Sequence, residues 1–120
     1  FELSIDVTPH FITKFISGKS ALSEADTFTV ITDETTSKTK LVIGYSAVNT
    51  HRVTIPVTSS TFENIENISF NANLFKEVLI ANKDCESATL EISSQGLAKI
   101  NFKVDDFTST YWLVGTSEQD

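Results

Sequence analysis

The chain contains the same structural pattern twice, and this doubling limits the folds open to it more than any other feature. Residues 11–16 and 74–79 carry apolar side chains at matching places, which pair Phe11 with Leu74, Ile12 with Phe75, Phe15 with Val78 and Ile16 with Leu79. Each block follows a short alternating strand and precedes three further strands. The sequence therefore predicts a strand-helix-strand-strand-strand unit that occurs twice.

Local signals set the boundaries of the two helices. Thr8 and Pro9 open the first helix, because threonine caps free backbone N–H groups and proline at the first helical position loses no hydrogen bond. Gly18 is predicted to end it, since glycine takes the left-handed conformation that follows many helices. Asn71 is predicted to cap the second helix, which runs to about Ala81.

The remaining segments are rich in Thr, Val, Ile and Phe and predict strands. They are residues 1–7, 26–32, 40–46, 51–57, 68–70, 87–93, 97–104 and 108–114, with residues 33–38 as a hairpin tip. We therefore expect an α+β fold, a duplicated β-α-β-β-β unit with two helices on one face of an antiparallel sheet and the other face in solvent. The repeat halves are residues 1–57 and 67–115, joined by the irregular connection 58–66 within one domain, 1–120.

Charge and composition narrow the range of functions that the chain could have. A formal net charge of −7 argues against nonspecific nucleic-acid binding by the surface as a whole, because it repels a phosphate backbone, but it leaves room for a local basic strip. The one cysteine, Cys85, excludes an intramolecular disulfide. No apolar run has the length that spans a bilayer, so we expect a soluble protein without membrane contact.

The sequence gives no support for catalysis. Gly18-Lys19-Ser20 resembles the end of a phosphate-binding loop, but Thr13 stands where that loop needs another glycine. His10 and His51 have no metal-ligand spacing with Cys85 or with a pair of carboxylates. We therefore expect no enzyme, no metal and no cofactor.

Two groups of side chains each allow two interpretations of their role. The outer helix faces hold Lys14, Lys76 and Lys83, which form either an ordinary solvated surface or a shallow positive strip that touches a phosphate backbone without reading bases. At the end of the last strand, Trp112 and Val114 either complete the core or belong to an exposed apolar notch that takes an aromatic peptide anchor.

With this pattern the chain resembles the DNA sliding clamps, the ring-shaped polymerase processivity factors of phages, archaea and eukaryotes. The likeness rests on the doubled unit, on residues 68–79 (ISFNANLFKEVL) and on the closing residues 110–114 (TYWLV), and it covers nearly all of the chain. The nearest likeness is to the C-terminal domain of the trimeric clamp of T-even-like phages. The resemblance implies that this chain is the C-terminal part of a longer subunit, or that a single-domain form assembles six to a ring.

The resemblance also implies a function and a set of residues. A non-catalytic ring, a trimer of full-length subunits, would encircle duplex DNA without sequence preference, bind DNA polymerase and clamp loader, and act in replication in the cytoplasm of the host cell. The DNA-facing residues carried over are Lys14, Lys76, Lys83 and Lys19. The partner-peptide pocket carried over consists of Leu97, Ala98, Trp112, Val114 and Gly115. The alternative function is a protein-interaction, virion or adaptor domain of similar two-layer build that does not bind DNA.

Overall fold

The computed structural model describes residues 1–45 and 52–116 and shows an α+β fold with two helices and two antiparallel sheets. The helices are α1 (Pro9–Ala21) and α2 (Ala72–Ala81). The strands are β1 (Leu3–Asp6), β2 (Thr27–Asp33), β3 (Lys38–Ile43), β4 (Val53–Val57), β5 (Ser59–Thr61), β6 (Ile68–Asn71), β7 (Ser87–Ser93), β8 (Leu97–Val104) and β9 (Phe107–Val114). The element order follows the doubled pattern, with β5 added inside the connection. In the described part of the chain, no helix has the length and hydropathy needed to cross a membrane.

The prediction of a single sheet is wrong. The strands form a five-stranded sheet in the order β5-β1-β7-β8-β9 and a four-stranded sheet in the order β4-β3-β2-β6. β1 of the first half pairs with β7 of the second half, and β6 of the second half pairs with β2 of the first. Each half thus adds its first strand to the three-stranded meander of the other half, so the two repeats share hydrogen bonds as well as a core.

Aromatic rings from both helices and from the four-stranded sheet fill the centre of the molecule. Phe75 of α2 is fully buried, and its ring centroid lies 4.8 Å from that of Phe15 and 4.9 Å from that of Phe28. Phe28 lies 5.3 Å from Phe15 and 5.7 Å from Phe70, measured between centroids. Edge-to-face and offset contacts at these distances add to the free energy gained from burying the rings.

The helix caps confirm the predicted starting points. Thr8 Oγ1 accepts a hydrogen bond from the Phe11 N–H at 3.0 Å, and Asn71 Oδ1 accepts one from the Leu74 N–H at 2.9 Å. The predicted end of α1 is wrong, because the helix continues past Gly18 to Ala21. Gly18 is buried, and a Cβ there would lie 2.9 Å from Val53 Cγ1. This glycine therefore allows close approach between α1 and β4 instead of ending the helix.

A side chain larger than glycine at this contact is expected to destabilise the fold. Gly18→Leu should lower the free energy of unfolding by about 1–3 kcal/mol, because β-branched Val53 cannot rotate away easily and a Cβ at position 18 would also lie 3.2 Å from Ile43 Cδ1. Urea unfolding measures the change. Ser17→Leu, at the exposed neighbouring position, is the matched control and should change stability little. Equal losses in both variants would contradict the close-approach explanation.

Most strand predictions agree with the structure, and the differences have local causes. The bounds predicted for β7 and β8 are those observed. The β2–β3 hairpin is tighter than predicted, because Ser37 adopts a φ of 56° in the turn and lets Lys38 pair with Asp33. β3 ends at Ile43 and β4 begins at Val53. Position 46, the predicted end of one strand, and position 51, the predicted start of the next, lie outside the described residues.

Candidate functional site

Charge is divided unevenly between the helices and the rest of the chain. α1 contains Lys14 and Lys19 and no acidic residue, and α2 contains Lys76 and Glu77. The two helices thus hold three of the nine basic residues but only one of the sixteen acidic residues, so they carry net positive charge in a chain of net charge −7. The formal charge of the two helices is therefore opposite in sign to that of the whole chain.

Three lysines keep their charge available on or next to the helices. Lys14 on α1 is exposed, as is Lys83 two residues beyond α2. Lys76 is half-buried, and its Nζ donates a hydrogen bond at 3.2 Å to Ser20 Oγ, which joins the two helices. The ion pairs found within residues 1–45 and 52–116 lie elsewhere, on the five-stranded sheet side. We call Lys14, Lys76 and Lys83 the helix lysines.

Lys19 differs from the helix lysines. Only 4% of it is exposed, and its Nζ donates to the Ser23 carbonyl at 3.1 Å, just beyond the end of α1. A cation at this end of a helix is favoured by the helix dipole, and the carbonyl partly replaces its hydration. Lys19 therefore stabilises the end of α1, and its burial does not fit the DNA-facing position that the resemblance implied.

The outer surface of α2 also contains exposed apolar residues. The match of Leu74 with Phe11 in the repeat predicts that Leu74 lies on the buried face of α2, and this prediction is wrong, since 51% of Leu74 is exposed. Ile80 is 43% exposed. The buried side of α2 is formed by Ala72, Phe75 and Leu79. Successive residues of a helix are about 100° apart, so Leu74 lies on the flank that faces away from this side. The helix surface is therefore a mixture of lysines and isolated apolar side chains.

The structure places Trp112 and Val114 outside the core. They are 54% and 72% exposed, whereas Leu113 between them is 5% exposed. The interpretation that Trp112 and Val114 complete the core is thus wrong, and both side chains belong to an exposed apolar surface. The face of β9 is determined by its pairing with β8, in which Leu97 stands opposite Val114 and Ala98 stands opposite Leu113.

The five residues predicted as a peptide pocket do not share one surface. Leu97, Trp112 and Val114 lie on the outer face of the five-stranded sheet, but Ala98 is fully buried on the inner face. Gly115 joins the end of β9 to the turn between β7 and β8, because its N–H donates to the Gly96 carbonyl at 2.7 Å and a Cβ there would lie 3.2 Å from that oxygen. Ala98 and Gly115 therefore support the apolar surface from behind and from its end.

Two residues that contact Trp112 at this surface, Lys99 and Phe1, were not predicted. The Lys99 Nζ lies 5.6 Å from the centre of the Trp112 ring and 5.3 Å from that of Phe1, within the range of cation–π attraction. The same Nζ forms an ion pair with Glu91 at 3.2 Å, and the Phe1 and Trp112 rings lie 6.4 Å apart. We call Leu97, Lys99, Trp112 and Val114 the docking surface, and the Phe1 ring lies against it.

The Glu2 carboxylate, which follows Phe1 in the chain, is hydrogen-bonded to the turn beside the docking surface. Glu2 Oε1 accepts a hydrogen bond from the Ser94 N–H at 2.8 Å, and Glu2 Oε2 accepts one from Ser94 Oγ at 2.9 Å. These two hydrogen bonds hold the pKa of Glu2 below its ordinary value, because they favour the ionised form. The turn between β7 and β8 thus offers a site for a carboxylate at the border of the docking surface.

The titratable side chains bear on two kinds of site, a metal site and a reactive thiol. Within residues 1–45 and 52–116, no three His, Cys, Asp or Glu side chains are grouped so that they could hold a metal ion. Burial raises the pKa of the Cys85 thiol, which lowers the fraction of reactive thiolate. The features that remain are two surfaces, one formed by the helix lysines and one by the docking surface.

Comparison with known proteins does not identify the chain. No protein-family model matches it, and neither a curated protein nor a solved structure shows significant similarity.

Proposed function

We propose that this chain is a domain of a DNA sliding clamp, a non-catalytic ring that encircles duplex DNA in the host cytoplasm and holds the replicative polymerase on its template. The observation that carries the proposal is the charge asymmetry, in which positive helices belong to an acidic chain. The helix lysines would face the DNA inside the ring. The acidic remainder would repel DNA from the other surfaces.

Weak contact is what a sliding protein requires. Phosphate contacts give affinity without sequence preference, and many strong contacts would hold the ring in one place. Lys14 and Lys83 are exposed, and Lys76 is tied to Ser20, so few cations are available to each duplex. A small number of available cations suits transient, water-mediated contact with the phosphate backbone of DNA.

Free sheet edges support assembly into a ring. β9, with eight residues, is an edge of the five-stranded sheet, and β4, with five, is an edge of the four-stranded sheet. Edge strands present unpaired backbone groups that pair with another chain. Two different edges on one unit allow head-to-tail contacts, which close into a ring when the rotation between units permits. We propose a homo-oligomer, a trimer of full-length subunits.

The docking surface supplies the second part of the proposed function. DNA polymerase and the clamp loader would bind there through short apolar segments. Large exposed apolar side chains next to one another are a common feature of protein-binding surfaces, and a tryptophan is a frequent energetic centre of such contacts. Trp112 and Val114 are exposed side by side on one face of β9.

A titration with duplex DNA tests the proposal. Isotope-labelled chain is mixed with a short duplex of arbitrary sequence at low salt, and backbone amide signals are followed by NMR. We expect shifts that are confined to α1, α2 and the turn at Lys83, are the same for unrelated sequences and vanish as salt is raised. Shifts on the strands, or no shifts under these conditions, would contradict the proposed DNA-facing surface.

One observation favours a second candidate function. Leu74 and Ile80 are exposed on the outer side of α2, where they resemble the contacts of a protein interface more than those of a DNA channel. A protein-interaction, virion or adaptor domain that does not bind DNA would use this face for a protein partner. In the same titration it would leave the helix signals unchanged.

A further inference from the structure

The chain places its own aromatic and acidic side chains on the docking surface. Phe1 lies over Lys99 and beside Trp112, and the next residue, Glu2, accepts two hydrogen bonds from Ser94. An aromatic ring and a carboxylate on consecutive residues thus occupy two neighbouring parts of one surface. They show by example which ligand chemistry this surface accommodates.

The contact made by Phe1 and Glu2 is weak enough to be replaced. Both residues precede β1, which begins at Leu3, and 51% of Phe1 is exposed. The hydrogen bonds of Glu2 are at the surface, where water competes for both partners. Leu3 is fully buried, so β1 remains anchored when the two residues before it move away.

An incoming aromatic side chain would need the position that Phe1 occupies. The Lys99 ammonium is already surrounded by the Phe1 ring, the Trp112 ring and the Glu91 carboxylate. The lysine side chain is only 28% exposed, which leaves little of it open to another ring. Access to Lys99 and to the adjoining side of Trp112 therefore depends on displacement of Phe1.

We propose that Phe1 and Glu2 form an internal ligand that covers the docking surface, and that a partner segment with an aromatic residue followed by an acidic residue displaces it. The partner's ring takes the place of Phe1 over Lys99, and its carboxylate accepts the hydrogen bonds of Ser94. This inference rests on the docking surface of the proposed function and adds the chemistry of the partner and a built-in competitor. A partner must then bind more tightly than the chain binds itself.

A competition experiment tests the proposal. The probe is the peptide acetyl-Ala-Phe-Glu-Ala-amide, and the proteins are the native chain and the variant Phe1→Ala/Glu2→Ala, with NMR signals of the Trp112 indole N–H and the Ser94 amide as readouts. We expect the variant to bind about tenfold more tightly if the internal ligand covers the surface in about nine molecules of ten, since apparent affinity scales with the open fraction. Unchanged urea midpoints and circular dichroism would show that both proteins are folded.

Matched controls test the aromatic ring and the carboxylate of the ligand one at a time. Replacing Phe by Ala in the probe should abolish the change at Trp112, and replacing Glu by Gln should weaken the change at Ser94. The Ser94 hydroxyl donates one of the two hydrogen bonds to the carboxylate. Adding Ser94→Ala to the variant should therefore reduce affinity for the probe that contains Glu more than for the probe that contains Gln.

Three results would overturn the inference. They are equal or tighter binding by the native chain, binding that leaves the Ser94 amide unchanged, and no binding by the folded variant. None of them bears on the helix lysines, which the duplex titration examines on the other surface. Failure of the internal ligand is therefore distinguishable from failure of DNA binding.

Discussion

Replacement of Phe75 by alanine is expected to lower the free energy of unfolding by about 3–5 kcal/mol, the usual cost of removing a buried aromatic ring. Phe75 is fully buried, and its ring is in contact with Phe11, Phe15 and Phe28. Its removal leaves a cavity where α1, α2 and the four-stranded sheet meet. Because small domains are stable by only about 5–15 kcal/mol, this single change removes a large part of the total.

Urea unfolding monitored by circular dichroism measures the loss. Leu74→Ala is the matched control, since it shortens the neighbouring side chain on the same helix at a position that is 51% exposed. We expect it to change stability by no more than about 0.5 kcal/mol. Similar losses in the two variants would mean that α2 does not bury the face formed by Ala72, Phe75 and Leu79.

Reversal of the helix lysines is expected to have the second large effect. Lys14→Glu, Lys76→Glu and Lys83→Glu together should weaken duplex binding at least about tenfold and flatten its salt dependence, because each lost phosphate contact lowers the slope by about 0.9. In the full-length protein, the same change should shorten the products that its polymerase makes before dissociation. Stability should fall only slightly, since Lys14 and Lys83 are exposed.

The chain offers a control with the same change in net charge. Lys38, Lys40 and Lys103 are exposed on strands β3 and β8, and their reversal should leave duplex binding and product length nearly unchanged. Equal weakening by both triple variants would show that only the total charge matters and would remove the assignment to the helices. No weakening by either would defeat the proposal of a DNA-encircling ring.

The local signals in the sequence predicted much of the secondary structure. Thr8 and Asn71 cap the helices as expected, because a cap depends on a side chain and the backbone three residues away. The bounds of β7 and β8 also follow from their alternation. The prediction that α1 ends at Gly18 was wrong, because glycine is found both at helix ends and where two elements pack closely. The role of Gly18 depends on its contact with Val53, which is distant in sequence.

The candidate site was only partly predictable. Lysines on a helix face can be found from periodicity, but the burial of Lys19 depends on the Ser23 carbonyl and on the packing around the end of α1. Alternation alone could not tell which face of β9 is buried. The two-residue turn at Asp105 and Asp106 does fix the register, and it would have placed Lys99 opposite Trp112.

By itself, the sequence determined the doubled order of strands and helices, the helix caps and the excess of lysine on the helices, because these depend on neighbouring residues and on composition. Only the tertiary structure decided that β1 and β6 each pair with a strand of the other half, that Trp112 faces outward and that the Phe1 ring lies beside it. Strand partners and exposed faces are chosen by burial of the whole core and by hydrogen bonds between distant segments, and no local pattern contains that information.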